Sequence, residues 1–161
     1  MILAGKQNKT PQKCNRKKCL ICQHALCTEP KVEIKSGDGT IHEVHAARFS
    51  CKSRNVIYII FDKKTKVCYY VGHTGQSIES RIYQHTGGKK NMKGGNSKFK
   101  NGFVTDKSKH KIHFYITAIS SHPSRVRRLE HEKEWIRKLK PSWNIQVEYH
   151  WWSHQSNEFV D

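Results

Sequence analysis

Residues 55–72 read NVIYIIFDKKTKVCYYVG and carry the strongest secondary-structure signal of the chain. A dense run of β-branched and aromatic residues, 55–61, is followed by the polar segment 62–66 and by a second apolar run, 67–71, which ends at Gly72. Apolar runs on either side of a short polar segment predict two antiparallel strands joined by a turn. The chain is therefore predicted to be built around a β-hairpin.

Segments on both sides of this hairpin complete the predicted fold. Residues 31–48 alternate between apolar and polar around a glycine-containing turn, which predicts a further hairpin. Downstream we predict a short helix, a third strand, a long helix and an aromatic edge strand over residues 77–85, 112–118, 122–139 and 145–151. This order predicts an α+β fold, with a small, mostly antiparallel three-stranded sheet flanked by helices.

Both predicted helices have sequence signals at their ends. Ser77 stands just before the apolar residues of the short helix and is predicted to be its N-cap, because the serine side chain accepts a hydrogen bond from the first helical turn. The segment His122-Pro123-Ser124 is predicted to open the long helix. Lys140 and Pro141 are predicted to end the long helix.

The chain is strongly basic. Its 161 residues include 30 Lys and Arg against 13 Asp and Glu, a formal net charge of +17. A charge of this size attracts polyanions, and nucleic acid is the commonest polyanion in a cell. No apolar run is long enough to cross a bilayer, and residues 1–6 lack the apolar core of a secretory signal. We expect no membrane partner and an intracellular protein, nuclear if the source is eukaryotic, with reduced cysteines.

Glu132 is the unexpected residue of the long helix. At about 100° per residue, the apolar side chains of this helix are predicted to share one face, which comprises Val126, Leu129, Trp135, Ile136 and Leu139. Glu132 lies inside this face, where an ionised carboxylate is unfavourable unless a cation or hydrogen-bond donors meet it. Two hypotheses follow: Glu132 is the partner of a buried arginine, or it holds a metal ion in a cleft.

The short helix also carries polar residues beside its apolar face. Ile78 and Ile82 mark the buried side, and Arg81 and His85 lie next to it. A structural salt bridge between Arg81 and Glu132 would leave His85 and the two hairpin tyrosines unexplained. We therefore favour a cleft in which Arg81 binds a phosphate and Glu132 binds a metal ion.

The spacing of these residues resembles that of the GIY-YIG nuclease superfamily. The resemblance rests on Val56-Ile57-Tyr58, Tyr70-Val71-Gly72, Arg81, His85, Glu132 and Asn144. Val56 stands where the motif usually has its first glycine. The segment 49–58, with the cysteines and His24 upstream, is similar to the endonuclease module of Penelope-like retroelements. The whole resemblance covers residues 14–145.

The resemblance implies metal-dependent hydrolysis of phosphodiester bonds by an endonuclease or nickase. Glu132 would hold a catalytic Mg²⁺ or Mn²⁺, because a carboxylate suits a hard divalent ion. Arg81 would bind the phosphate oxygens, because its planar guanidinium is always charged and can donate two hydrogen bonds at once.

The resemblance also implies roles for the remaining site residues. Tyr58 would act as general base toward water once nearby cations had lowered its pKa, and His85 could relay the proton. Tyr70 would position the water or the phosphate. His73 is a second candidate for the base, and Asn144 would maintain the geometry of the site.

The cysteines near the start of the chain have the spacing of a structural zinc site. Three of them are separated by short intervals, namely Cys14, Cys19 and Cys22. We favour Cys51 as the fourth Zn²⁺ ligand because it leads into the strand of Tyr58. His24 and Cys27 are alternatives for the fourth position, and disulfides or unliganded thiols are alternatives to zinc.

A lysine-rich segment over residues 87–109 is predicted to bind DNA. The candidate phosphate contacts are Lys89, Lys90, Lys93, Lys98 and Lys100. Lysines on a loop would provide affinity without sequence preference. Trp143, Trp151 and Trp152 could either pack in the core or stack on bases, and the sequence favours neither.

The predicted organisation has three parts. Residues 1–50 form a cysteine-rich zinc-binding extension with a hairpin, residues 51–145 a GIY-YIG nuclease domain and residues 146–161 an aromatic tail. The expected function is a DNA endonuclease or nickase that serves a mobile element. The alternative is a zinc-dependent nucleic-acid binding module with a vestigial nuclease site. The expected partners are double-stranded DNA and a reverse transcriptase of the same element, and the oligomeric state is left open.

Overall fold

The elements of the structure follow the predicted order. A computed structural model of the chain describes residues 11–17, 19, 21–85 and 113–144. Within these residues lie a π-helical turn, five strands and two α-helices: Ile21–Ala25, β1 Lys31–Lys35, β2 Ile41–His45, β3 Val56–Asp62, β4 Cys68–Thr74, α1 Ile78–His85, β5 Phe114–Ser121 and α2 Arg125–Leu139. The predicted α+β class is confirmed.

The central sheet has three antiparallel strands in the order β4-β3-β5. β3 lies in the middle, and its residues 56–61 are all buried because both faces of the sheet are covered. This explains why the strand reads as a continuous apolar run rather than as an alternation. The decisive hairpin of the sequence is therefore β3–β4, with β5 added on the other side.

Alternate residues of β3 face two different apolar clusters. Tyr58 and Ile60 pack with Ile78 and Ile82 of α1 and with the cysteine-rich N-terminal segment. Ile59 and its neighbours on the opposite face pack with α2 and with the β1–β2 hairpin. The predicted helices thus flank the sheet, one on each face.

The first hairpin, β1–β2, is also present as predicted, and its turn contacts α2. Alternation in β1 buries Val32 and Ile34, but Ile41 is 63% exposed because it pairs with Lys35 on the outer face. The backbone N–H of Gly37 in the turn donates to a carbonyl oxygen at the C-terminal end of α2 at 2.9 Å. The hairpin therefore provides a hydrogen-bond donor for one of the carbonyl groups that a helix leaves unpaired at its C-terminal end. This helix, α2, carries Glu132.

The predicted cap of α1 is confirmed, and the structure shows a serine cap on α2 as well. The Ser77 hydroxyl accepts a hydrogen bond from a backbone N–H in the first turn of α1 at 3.1 Å. The Ser124 hydroxyl does the same for Arg127 at the start of α2, at 3.4 Å. α2 ends where Lys140 adopts a left-handed backbone with φ 45°, and Pro141 follows.

The prediction that Val126 belongs to the buried face of α2 is wrong, because Val126 is 59% exposed. At about 100° per residue, Arg128 falls between Trp135 and Leu139 on this face, whereas Val126 lies at its opposite edge. Arg128 is indeed buried. The inward face of α2 therefore holds two charged residues one turn apart, not one.

Several predicted features lie outside the described residues. They are the side chain of His85, the five candidate DNA-binding lysines between Lys89 and Lys100, the edge strand at 145–151, and Trp151 and Trp152. In the part of the chain that the structure describes, no helix has the length and apolar character needed to cross a bilayer.

Candidate active site

The centre of the candidate site is a pair of tyrosines packed over Gly72. In the β3–β4 ladder Tyr58 lies opposite Gly72, and the rings of Tyr58 and Tyr70 have centroids 6.0 Å apart. A Cβ atom on Gly72 would lie 2.8 Å from the Tyr58 hydroxyl oxygen. The missing side chain of Gly72 therefore leaves room for the two tyrosine rings.

Both tyrosines are buried and hold their protons tightly. Burial raises the pKa of Tyr58 well above its usual value of 10, although a hydrogen bond and the charge of Arg81 act in the opposite direction. Burial and the charge of Glu132 raise the pKa of Tyr70 to about 12. Burial outweighs the effect of Arg81 on the pKa of Tyr58, so Arg81 alone does not supply the lowered pKa that a general base would need.

Arg81 reaches this pair from the second turn of α1. Hydrogen bonding by its guanidinium opposes the rise in pKa of both Tyr58 and Tyr70. Its Nη1 also donates to the side-chain oxygen of Gln84 at 3.2 Å. Its Nε is buried and has no hydrogen-bond partner among the described atoms. The guanidinium therefore retains an unused N–H donor at Nε.

Glu132 lies in the middle of α2 and is 6% exposed. Burial raises the pKa of Glu132 to about 8, although the charges of Arg81 and Lys133 lower it. Its carboxylate Oε2 lies 3.5 Å from Nε2 of His73 on β4. This distance is longer than a good hydrogen bond, so Glu132 is a buried carboxylate that is only weakly compensated.

His73 adds a neutral imidazole to the site. Burial lowers the pKa of His73 to about 4, and the charges of Arg128, Arg81 and Arg125 act in the same direction. Its Nδ1 is buried without a hydrogen-bond partner among the described atoms. At pH 7 the imidazole therefore carries no charge, and its contact with Glu132 is not an ion pair.

Asn144 and Trp143 hold the outer edge of β4. The Asn144 side chain accepts from the backbone N–H of Val71 at 2.9 Å and donates to the Val71 carbonyl at 2.8 Å. Trp143 stacks on Tyr69 with centroids 4.7 Å apart. Asn144 thus replaces a neighbouring strand at this edge, and Trp143 packs against the sheet.

Arg128 is a site residue that the sequence reasoning missed. Its Nη1 donates to the side chain of Asn55 at 3.2 Å and to the carbonyls of His122 and Pro123 at 2.9 Å each. The signal was present in the sequence, because residues four apart on a helix share a face and Arg128 precedes Glu132 by four.

The thiols predicted to bind zinc lie together. Their Sγ atoms are all within 4.8 Å of one another, in a cluster formed by Cys14, Cys19, Cys22 and Cys51. The rival Cys27 is buried in the other apolar cluster, and His24 is exposed. All six cysteines are free thiols, so the disulfide alternative is wrong. The cluster could hold a metal ion.

Arg16 links this cysteine cluster to α1. Its Nη2 donates to the Glu79 carboxylate at 2.7 Å and lies 3.6 Å from the Cys51 sulfur. The backbone N–H of Glu79 donates to the Cys51 carbonyl at 2.9 Å. The cluster is therefore joined by side-chain and backbone contacts to the helix that carries Arg81.

Comparison with known protein families agrees with this geometry. The family model of the GIY-YIG catalytic domain matches residues 54–146, which is more than half of the chain. Comparisons with curated proteins and with solved structures gave no match. The matched range includes the central sheet, both α-helices and the tyrosine pair. Domains of this kind are nucleases, which act on nucleic acid. The chain therefore belongs to the GIY-YIG family of nuclease domains.

Proposed function

We propose that the protein is an endonuclease that hydrolyses phosphodiester bonds in double-stranded DNA, with Glu132, Arg81 and the paired tyrosines as its catalytic centre. The observation that carries this proposal is the buried carboxylate of Glu132, whose charge acts on the hydroxyls of both Tyr58 and Tyr70. Its contact with His73, at 3.5 Å, is too long to compensate it. A buried carboxylate without a close partner favours the binding of a cation.

The residues around Glu132 fit a single divalent cation. One carboxylate and otherwise neutral or phosphate-binding side chains suit Mg²⁺ or Mn²⁺, which keep several waters and use substrate phosphates as further ligands. Such an ion would polarise the phosphate and stabilise charge on the leaving oxygen. Glu132 would hold it.

Arg81 would bind the phosphate that is cut. Its guanidinium hydrogen-bonds Tyr58 and Tyr70, and its Nε has no partner among the described atoms. A guanidinium can donate two parallel hydrogen bonds to phosphate oxygens. The tyrosine hydroxyls, which keep their protons, would hold the attacking water or a phosphate oxygen in place. Positioning of this kind lowers the barrier because less entropy is lost during the reaction.

Two side chains are candidates for the base that takes the proton from water. Tyr58 would first have to lose its own proton, whereas His73 can accept one directly at Nε2 or Nδ1. His85 remains the candidate for a relay. Kinetics of Tyr58→Phe and of His73→Gln separate the two, because the loss of the true base lowers kcat more than KM rises.

We also propose that the cysteine cluster binds one structural Zn²⁺. Four thiolates at about 2.3 Å from a tetrahedral zinc ion lie about 3.8 Å apart, and the observed sulfurs lie within 4.8 Å of one another without an ion. The absence of a disulfide among the described cysteines agrees with this assignment.

The cysteine cluster ahead of β3 is also the feature that supports the finer resemblance to Penelope-like retroelements. On this proposal the nuclease cuts DNA for integration of a mobile element, and a reverse transcriptase of that element is its partner. In a eukaryotic source this activity would take place in the nucleus.

The deciding experiment is incubation of the full chain with supercoiled plasmid in Mg²⁺, in Mn²⁺ and in EDTA. Cleavage is expected with either metal and not in EDTA. Glu132→Gln, which preserves side-chain volume, should slow cleavage on the order of 100-fold or more. Glu130→Gln is the matched control on the exposed side of the same helix, and it should cleave within about twofold of the wild type.

Two outcomes would contradict the proposal. Cleavage by Glu132→Gln at the wild-type rate would exclude Glu132 from the catalytic centre. Binding of DNA by the wild-type chain without any cleavage in either metal would instead favour the binding module with a vestigial site.

A further inference from the structure

Three arginines at the start of α2 have an arrangement that folding alone does not favour. Arg125 and Arg127 are exposed and Arg128 is buried, and the first turn of α2 contains no acidic residue. Cations near the N-terminus of a helix are repelled by the positive end of the helix dipole. This concentration of positive charge indicates a surface that meets an anion.

Arg128 fixes the position of this surface. Through Nη1 it binds the side chain of Asn55 and the carbonyls of His122 and Pro123. Its Nη2 lies 3.1 Å from the place that a Cβ atom of Gly75 would occupy. Arg128 therefore joins the start of α2 to the start of β3 and to the loop that precedes α1.

Arg54 extends the positive surface to the other side of Arg128. Its exposed side chain comes directly before Asn55, and its Nε donates to the Gly75 carbonyl at 3.4 Å. Since Gly75 adjoins Arg128, the same set of contacts holds Arg54 and the arginines of α2 in one region. We term the three exposed side chains, Arg54, Arg125 and Arg127, the arginine rim.

Buried nitrogens beside the rim lack hydrogen-bond partners among the described atoms. They are Nε of Arg128 and Nε2 of His122. Burial, His131 and Arg127 lower the pKa of His122, and burial and Arg125 lower the pKa of Arg128. Unpaired buried nitrogens in a region of positive potential point to an anionic ligand.

The rim adjoins the candidate active site. Arg128 precedes Glu132 by about one helical turn, and the charges of Arg125 and Arg128 act on His73. His73 in turn lies 3.5 Å from Glu132. A nucleic-acid strand with one phosphate at Arg81 would have its next phosphates near the start of α2.

We propose that the arginine rim binds the phosphates next to the one that is cut and so orients the nucleic-acid strand over the catalytic residues. This inference rests on the proposed nuclease function. It adds a second binding surface to the lysine-rich segment predicted from the sequence. Contacts with phosphates set affinity and register without reading bases, and arginine suits this role because its planar fork matches phosphate oxygens.

The test measures binding apart from cleavage. The full chain carrying Glu132→Gln is titrated against a short, fluorescently labelled DNA duplex over a range of NaCl concentrations, and anisotropy reports binding. Adding Arg125→Gln and Arg127→Gln should weaken binding about tenfold or more and reduce the salt slope by about 1.8, since each phosphate contact contributes about 0.9. Arg54→Gln alone, on a different segment, should reduce the slope by about 0.9.

The matched control removes the same charge elsewhere. Lys31→Gln with Lys35→Gln changes exposed residues of β1, in the hairpin that contacts the opposite end of α2, and should leave the affinity and the salt slope as in the parent. Circular dichroism verifies that each variant is folded.

The possible outcomes separate the two proposals. Unchanged affinity and salt slope in the arginine variants would overturn the proposal that the rim binds phosphates. An equal loss of affinity in the lysine control would also overturn it, because net charge alone would then explain the effect. If the wild-type chain does not cleave DNA but the arginine variants lose binding, the nuclease proposal fails and the rim is retained as a nucleic-acid surface.

Discussion

Tyr58 and Gly72 face each other across the β3–β4 ladder, and the Tyr58 hydroxyl occupies the space that a side chain on Gly72 would need. The glycine is therefore part of the candidate site, because it allows two tyrosine rings to pack above the strand beside Arg81. Gly72 of the sequence motif thus determines where the Tyr58 hydroxyl can lie.

Gly72→Ala is expected to displace the tyrosine pair. The new Cβ atom would lie 2.8 Å from both Cζ and the hydroxyl oxygen of Tyr58, and overpacking of a well-packed site costs about 1–3 kcal/mol. We expect a loss of stability in urea unfolding and a fall in plasmid cleavage of about tenfold or more. Gly75→Ala is a milder control, since the atom it meets is the end of the Arg128 side chain, at 3.1 Å. Wild-type stability and cleavage in Gly72→Ala would contradict this account.

Tyr58→Phe should separate packing from chemistry. The ring of Tyr58 is fully buried and remains in the variant, so the thermal midpoint should change little. Loss of the hydroxyl should slow cleavage about 100-fold. Tyr115→Phe on β5 is the control, because it removes a hydroxyl from the same sheet outside the site. Cleavage by Tyr58→Phe equal to that of Tyr115→Phe would show that the Tyr58 hydroxyl plays no part in the reaction.

Cys51 and Cys27 should differ in their effect on bound metal. Elemental analysis of the wild type is expected to find about one zinc per chain. Cys51→Ala removes one of the four clustered thiols and should lose most of the zinc, whereas Cys27→Ala, a buried cysteine outside the cluster, should retain it. Because zinc binding contributes to folding, a chelator should lower the thermal midpoint of the wild type and of Cys27→Ala. A metal-free wild type with the same midpoint would rule out a structural zinc site.

Asp62 should make stability depend on pH at the end of the β3–β4 hairpin. Burial raises the pKa of its carboxyl, but hydrogen bonds from the Thr65 and Lys64 backbone and from the Tyr69 hydroxyl outweigh it and lower the pKa below 3.8. A carboxyl group whose pKa is lower in the folded than in the unfolded chain stabilises the fold when the pH is above its unfolded pKa. This stabilisation is lost as the pH falls through the folded pKa.

Asp62→Asn is therefore expected to be less stable than the wild type by about 1 kcal/mol at pH 7. The difference should shrink as the pH is lowered below 3.8, because the wild-type carboxylate is then protonated. Urea unfolding of both proteins between neutral and acidic pH measures this. A difference that does not change with pH would show that the charge of Asp62 contributes nothing to the hairpin.

The sequence alone determined the parts of the protein that depend on local pattern. The dense apolar runs on either side of residues 62–66 predicted the central hairpin, since β-branched and aromatic residues favour strands. Ser77 predicted the start of the short helix because a capping hydroxyl acts within one turn. Glu132 was recognisable as an inward carboxylate because helical periodicity assigns each residue to a face, and the same count would have found Arg128 in place of Val126.

Features that depend on contacts between distant segments became clear from the three-dimensional arrangement of the chain. The spacing of the cysteines left Cys51, His24 and Cys27 as rivals, and the fold brought Cys51 to the cluster while burying Cys27 on the opposite face of the sheet. The protonation of Tyr58 was likewise undecidable from the sequence, because a pKa reflects the balance between burial and neighbouring charge. Here burial prevails over Arg81, since the tyrosine lies on the central strand between two covered faces.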